Sequence, residues 1–269
     1  MIKLNGVELV FKTFPNGETL VDGDAITALI AEQNTLAFKY DNDSDLIKLM
    51  FVKQYLDNRK VQAGLTIAYM PYSRMDRIEG TSVFTLKYVS GLINSLAFEH
   101  VTVLEPHSDV TLALLNNCSA RYPTIELLDL VVEATGFDRA SDYLFFPDAG
   151  AQKRYSKVRG YNELVGFKAR NFQTGEIERL DVVGQVASVG FKAIIVDDLC
   201  SYGGTFMRSA EKLKGLGAAE IYLLVGHCEP SIHKGKLLES PLVDKVFTTN
   251  TMLNEAGHEK IKLFEWGEV

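Results

Sequence analysis

The feature that most constrains this chain is a series of short apolar runs that do not alternate with polar residues. Leu65–Tyr69, Val101–Leu104, Tyr143–Phe146, Leu164–Phe167, Ala193–Val196, Ile221–Val225 and Lys245–Thr248 each read as a largely hydrophobic segment. A strand solvated on one face alternates, whereas a strand covered on both does not. Amphipathic stretches lie between the runs. Leu46, Leu49, Met50 and Leu56 stand at helical spacing behind the cap-forming Asp43-Ser44, and Val83–Leu96 forms a second such stretch. In Thr205–Leu216, Phe206, Ala210 and Leu213 share one face, and Gly217 follows as a helix terminator. Strand–helix alternation of this kind implies parallel sheets joined by right-handed crossovers, so the expected class is α/β with helices on both sheet faces.

At 269 residues the chain exceeds one ordinary domain and suits two α/β halves. The composition shifts near Gly136–Ser141, which places the expected division at 1–138 and 139–269. A net charge of -7 and a pI near 5.3 argue against a nucleic-acid partner, because such binding rests on a basic face. A small polyphosphate ligand remains compatible, since a few cations, backbone N–H groups and Mg²⁺ hold one in an acidic protein. Cys118, Cys200 and Cys228 fit no metal spacing and read as free thiols of a reducing compartment. The N-terminus lacks a signal-peptide pattern, and no apolar run reaches the ~18 residues that cross a bilayer. The expectation is a cytoplasmic protein with no membrane partner.

Chemistry concentrates at the ends of the apolar runs. In Ala193–Thr205 a buried strand delivers Asp197 and Asp198 to its carboxyl end, and the loop Ser201-Tyr202-Gly203-Gly204-Thr205 leads into a helix. Adjacent carboxylates accept hydrogen bonds from vicinal sugar hydroxyls, and paired glycines let backbone N–H groups approach a phosphate at a helix N-terminus. Arg74 and Arg77, three apart after another strand, suit bidentate contacts to a triphosphate, with Met75 and Asp76 between them. An ordinary strand–turn–helix junction and a surface ion-pair cluster are the plain alternatives to these two readings.

The Asp-Asp-glycine segment resembles the phosphoribosyl-diphosphate binding motif of type I phosphoribosyltransferases and ribose-phosphate diphosphokinases. Further segments in order resemble the diphosphokinase family in particular: Phe14-Pro-Asn16-Gly-Glu18, Pro71-Tyr-Ser-Arg-Met-Asp-Arg77, Glu105-Pro-His107, Pro147-Asp148-Ala-Gly, Lys168-Ala-Arg170 and Thr249-Asn-Thr251. The resemblance implies two phosphoribosyltransferase-like domains, with ATP-binding segments in the first and the ribose-phosphate loop in the second. It assigns Phe14, Asn16, Glu18, Arg74, Met75, Asp76 and Arg77 to ATP, with the Phe14–Glu18 loop reaching the adenine site of a neighbouring subunit. His107 and Asp148 are assigned to Mg²⁺, and Lys168 and Arg170 to a catalytic loop running on through Leu180. Asp197, Asp198 and Ser201–Thr205 are assigned to the ribose phosphate. The implied partners are small-molecule substrates and further copies of the chain, as a homodimer or homohexamer.

The departures are informative. Phe14 arrives early, so a leading strand–helix unit is expected to be missing. Ile78–Val83 replaces the family's Arg- and Ser-rich regulatory loop, which puts phosphate and ADP regulation in question. Where the family has Asp-Thr, this chain has Ser201-Tyr202; the acid is lost and a large ring enters the loop. That substitution raises a second acceptor, a ribose whose 5-phosphate is extended, such as ADP-ribose. No protein general base stands out. A phosphoribosyltransferase and a non-catalytic nucleotide-binding relative are the rival functions.

Overall fold

The computed structural model describes residues 1–170 and 177–267, of which 168–170 and 177–180 are considered as backbone only. The chain divides into two compact units, Met1–Arg121 and Tyr122–Val269.

The first unit runs β1 (Ile2–Leu4), β2 (Val7–Glu8), β3 (Lys12–Thr13), β4 (Thr19–Leu20), α1 (Gly23–Thr27), β5 (Thr35–Phe38), α2 (Ser44–Asn58), β6 (Gly64–Ile67), α3 (Thr85–Ser95), β7 (Val101–Leu104), α4 (Asp109–Leu114) and β8 (Cys118–Arg121). Its main sheet has the order β2-β1-β5-β6-β7-β8. β5 to β8 are parallel, while β1 pairs antiparallel to both β5 and β2. Because the parallel strands follow one another in space, right-handed crossovers send every connecting helix to the same face. One core accordingly holds Leu36, Phe38, Leu65, Ile67, Val101 and Val103 of the sheet together with Leu49, Val52 and Leu56 of α2 and Leu86 and Ile93 of α3. β3 and β4 form a separate hairpin.

The second unit runs α5 (Pro123–Thr135), β9 (Tyr143–Phe146), α6 (Ala149–Arg154), β10 (Asn162–Arg170), β11 (Ile177–Val183), β12 (Lys192–Cys200), α7 (Gly204–Gly215), β13 (Glu220–Cys228), a 3-10 turn (Pro230–Lys234), β14 (Lys245–Thr249) and β15 (Ile261–Phe264). The sheet order is β11-β10-β9-β12-β13-β14-β15, parallel except for β11. The chain enters at β9, moves outward through α6 to β10, and returns to β12 on the other side of β9 before moving through α7 to β13. That reversal places helices on both faces, as expected. Phe145, Ile195 and Leu223 pack with Phe206, Ala210 and Leu213 of α7. Their strand neighbours Leu144, Ile194 and Leu224 pack on the opposite face with Leu127 and Val131 of α5 and Ala151 and Tyr155 of α6. Every run expected to be a strand contains one, although β6 ends at Ile67, short of the expected Ala68 and Tyr69.

The division between units falls before α5, where composition suggested a break after it. The reason is packing: the buried stripe of α5 belongs to a core made of β9, β12 and β13 side chains, and Gly136, left-handed at φ 58°, only turns the chain into β9. Leu127 is 1% exposed in that core. Leu127→Ala should therefore destabilise the second unit by about 2–5 kcal/mol, read as a lowered denaturation midpoint of that unit; an unchanged midpoint would detach α5 from it.

Candidate functional site

In the second unit, β9 and β12 lie side by side, and the connections leaving their carboxyl ends diverge to opposite faces. Such a switch point is where open α/β sheets bind ligands. Asp148 follows β9 and caps α6, its Oδ1 accepting from the N–H of Ala151 at 3.0 Å. Gly150 keeps this cap tight, since a Cβ there would stand 3.1 Å from the same oxygen. The short α6 then returns Arg154 toward β12. One guanidinium nitrogen, Nη1, lies 3.2 Å from Asp197 Oδ1 and 3.0 Å from Asp198 Oδ1. The expected acid pair is thus bridged by a cation that the sequence analysis did not single out. Its signal was a basic last turn on the helix that Asp148 opens.

These side chains are largely out of water: Arg154, Asp197 and Asp198 keep 14%, 16% and 6% exposure. Burial, with the Asp198 charge next, pushes Asp197 well above the usual carboxylate range; Arg154 opposes the shift. The pair is therefore poised to take hydrogen bonds from a polyol, with strain that a ligand's hydroxyls would relieve.

Beyond β12 the loop turns on Gly203, left-handed at φ 82° and N-cap of α7. A Cβ on Gly203 would meet Leu237 at 2.8 Å, whereas one on Gly204 would meet nothing within 4 Å. The first glycine is thus required for seating the loop and the second leaves open space above it. No side chain caps α7, so its first-turn N–H groups, with Thr205 among them, are presented for an anion. Tyr202 is 59% exposed. Ser201 donates to Glu229 Oε2 at 2.5 Å, and Ser231 donates to the same oxygen at 3.0 Å. Glu229 was not anticipated; it immediately follows β13, the strand beside β12, 28 residues from Ser201 in sequence. Thr249 and Thr251 tie the end of β14 to β13: Thr251 Oγ1 stands 2.8 Å from Nδ1 of buried His227, and Thr249 donates to the Gly226 carbonyl at 2.7 Å.

The backbone of Lys168 and Arg170 ends β10, registered with Leu180 and Ile177. Their side chains, and residues 171–176 of the expected catalytic loop, lie outside the described residues.

The first unit carries its candidates on separate features. Phe14–Glu18 is the tip of the β3–β4 hairpin, closed by Phe14 N–H to Glu18 O at 2.8 Å and Gly17 N–H to Phe14 O at 2.8 Å. The Asn16 side chain accepts from Glu18 N–H at 3.2 Å, and Phe14 is half exposed. Arg74 and Arg77 follow β6 on an exposed turn rather than at the strand end itself. Asp76 is buried and stands 3.6 Å from Arg77, which also approaches Glu79 at 3.4 Å. Met75 is at the surface, and His107 is half-buried beyond β7. Two non-glycine residues at these strand ends take left-handed backbone: Tyr72 at φ 62° and buried Glu105 at φ 43°. Tyr72 and Tyr40 both donate to Asp43 Oδ1, at 2.5 and 2.6 Å, at the start of α2. Those bonds hold the Asp43 carboxyl below its usual range. Backbone held in this region at a cost of about 1–3 kcal/mol is a mark of functional loops. Neither tyrosine was singled out from sequence.

Among the described residues no three His, Cys, Asp or Glu side chains form a metal cluster. Mg²⁺ does not require one, as it keeps waters and rides on substrate phosphates. Asp148, in the second unit, offers the hard oxygen donors that suit a cation brought in with a nucleotide; His107, in the first unit, offers a softer nitrogen donor.

Fold and site together define a two-unit α/β protein with an acid pair and a glycine loop at the switch point of its second sheet. Residues 161–265 match the family model of the phosphoribosyl synthetase-associated domain. The chain is 26% identical over 260 residues to a ribose-phosphate pyrophosphokinase of Thermococcus kodakarensis, covering 91% of this chain and 86% of that one. It is 28% identical over 265 residues to one of Caldanaerobacter subterraneus subsp. tengcongensis, covering 93% and 80%. Among solved structures, phosphoribosylpyrophosphate synthetase from Mycobacterium smegmatis superposes with a TM-score of 0.75 at 17% identity, over 96% of this chain and 86% of that one. The resemblance read from the motifs is thus borne out: over most of its length the chain is similar to ribose-phosphate pyrophosphokinases.

The raised Asp197 carboxyl has a consequence for stability. The folded state holds its proton more tightly than the unfolded state, so stability falls as pH rises from near 3.8 through the raised value. Asp197→Asn should raise the melting temperature at neutral pH, and the gain should shrink toward pH 4. Equal melting temperatures of the two proteins across that range would show the pair to be unstrained.

Proposed function

We propose that the chain transfers the diphosphate of Mg-ATP to the anomeric hydroxyl of a ribose bearing a 5-phosphate, releasing AMP. The observation that carries this reading is the Asp197–Asp198 pair, braced by Arg154 beside the uncapped start of α7. The names of the curated relatives support the same reaction. Asp197 and Asp198 bind the ring hydroxyls, and the N–H groups of Gly203–Thr205 bind the 5-phosphate. Arg154 orients both acids for the sugar. Arg74, Arg77, Lys168 and Arg170 supply positive charge to the triphosphate, and Phe14, Asn16 and Glu18 take the adenine of a nucleotide bound by another copy of the chain. Met75 and Asp76 shape the turn that carries the two arginines. Asp148 and His107 would hold Mg²⁺, which would supply neutralisation of the phosphate charge when bound. The reaction is an in-line displacement, which needs positioning and charge compensation more than covalent catalysis.

A second acceptor is favoured by one observation. Tyr202, 59% exposed, stands in the phosphate loop where a small residue would contact a terminal phosphate. An aromatic face there suits an acceptor extended beyond its 5-phosphate, such as ADP-ribose. No helix among the described residues is long and apolar enough to cross a membrane, which accords with a cytoplasmic enzyme acting on small phosphorylated substrates. The phosphoribosyltransferase reading would leave the exposed hairpin and the Arg74–Arg77 turn without a task, and the non-catalytic reading would leave Lys168, Arg170, Asp148 and His107 without one.

The test is AMP release from Mg-ATP with ribose 5-phosphate or ADP-ribose. AMP is expected with at least one acceptor, and Asp198→Asn should lower kcat/KM about 100-fold or more. If ADP-ribose is preferred, Tyr202→Thr should shift the preference toward ribose 5-phosphate. No AMP with either acceptor would overturn the assignment.

A further inference from the structure

The reading above leaves the attacking hydroxyl without a proton acceptor, and the structure contains a candidate that no motif announces. Ser201 follows β12, three residues after Asp198, and opens the loop. Its hydroxyl proton is committed to Glu229 Oε2 at 2.5 Å. A serine has one hydroxyl proton and two lone pairs. With that proton directed at a carboxylate, Ser201 faces any ligand as an acceptor and polarises toward base character. Ser231 fixes the arrangement from the other side, donating to the same oxygen at 3.0 Å and standing 3.1 Å from Ser201 Oγ. Backbone sets the register: the Glu229 N–H donates to the Cys200 carbonyl at 2.8 Å, tying the end of β13 to the residue before Ser201. Gly235 presses on the loop from the same segment, where any Cβ would collide with the Tyr202 carbonyl.

We infer that Glu229, acting through Ser201, accepts the proton of the attacking sugar hydroxyl. This inference rests on the proposed diphosphotransfer and on the sugar lying between the Asp197–Asp198 pair and the N–H groups of Gly203–Thr205, which places it against the intervening Ser201. As the bond from O1 to the β-phosphorus forms, the hydroxyl proton passes to Ser201 Oγ and the serine's own proton passes to Glu229. The bond from the β-phosphorus to its bridging oxygen breaks, and AMP leaves with the electron pair. Serine is regenerated and Glu229 ends as the neutral acid, which returns its proton to water after product release. Ser201 is the catalytic residue in contact with substrate; Glu229 is the group that polarises and deprotonates it. The acid absent from position 201 is supplied from the neighbouring strand.

The experiment uses the full chain with Mg-ATP and whichever acceptor supports AMP release. Glu229→Gln keeps the shape and a hydrogen bond to Ser201 but cannot take a proton. It should lower kcat about 100-fold while KM for the acceptor changes less than about threefold. Glu229→Asp should recover part of the loss. Ser201→Ala should lose a comparable factor, and the double variant should be little worse than either single one, because the two act as a unit. Melting temperatures within a few degrees of wild type exclude a folding defect. A Glu229→Gln enzyme with wild-type kcat, or one that loses only acceptor affinity, overturns the inference while leaving the diphosphotransfer intact. Failure of the wild-type chain to release AMP with any acceptor would instead remove the reaction on which it rests.

Discussion

Two adjacent carboxylates at the buried end of a strand are the interaction around which the second unit is organised. Taking Asp197 and Asp198 out of water costs free energy that hydrophobic neighbours cannot return. Arg154 offsets part of it by bridging both acids through one nitrogen. That bridge sets conditions far from itself. β9 must lie against β12, so the chain must enter the sheet at its centre and reverse direction. α6 must be short, so that its last turn points back at the neighbouring strand end, and Gly150 must be small for Asp148 to begin that helix. The helices then fall on both faces because the crossovers run in opposite directions. The N-terminal unit, with crossovers all one way, collects its helices on one face.

The strands that were legible in the sequence are those covered on both faces, or those whose apolar run outlasts the strand. Tyr143–Phe146 is buried at every position, and Ala193–Val196 likewise. Those that were missed have mixed surroundings. Cys118–Arg121 alternates between half-buried and exposed positions, and β1 is held by antiparallel pairing that no local pattern announces. The misplaced division has the same origin. A shift in composition marks a turn, but which sheet a helix belongs to depends on what its apolar stripe meets, and α5 meets β9, β12 and β13.

The site shows this limit more sharply. The acid pair and glycine loop were readable because all their members are contiguous. Arg154 reaches the acids across 43 and 44 residues, and Glu229 reaches Ser201 across 28. Neither contact follows from spacing; both follow from strand order. In the first unit, Tyr40, Asp43 and Tyr72 come together by the same route, from the ends of neighbouring parallel strands. The left-handed backbone of Tyr72 and Glu105 is likewise invisible in sequence, because residues of these types rarely adopt it and no glycine signals it.

Reading the phosphate loop alone gives the wrong electrostatics. With serine at position 201 it looks less acidic than its relatives. The structure places Glu229 within hydrogen-bonding distance of that serine, so the local charge is supplied by another strand. What changes is its directionality. A carboxylate in the loop would itself touch the ligand, whereas Ser201 interposes a neutral oxygen whose proton is already assigned. The ligand then meets an acceptor of low charge beside N–H groups that favour an anion. Hydroxyl and phosphate can be held a few atoms apart without a carboxylate repelling the phosphate directly. The topology that costs the fold a buried acid pair at Asp197 and Asp198 thereby spares the loop a second one.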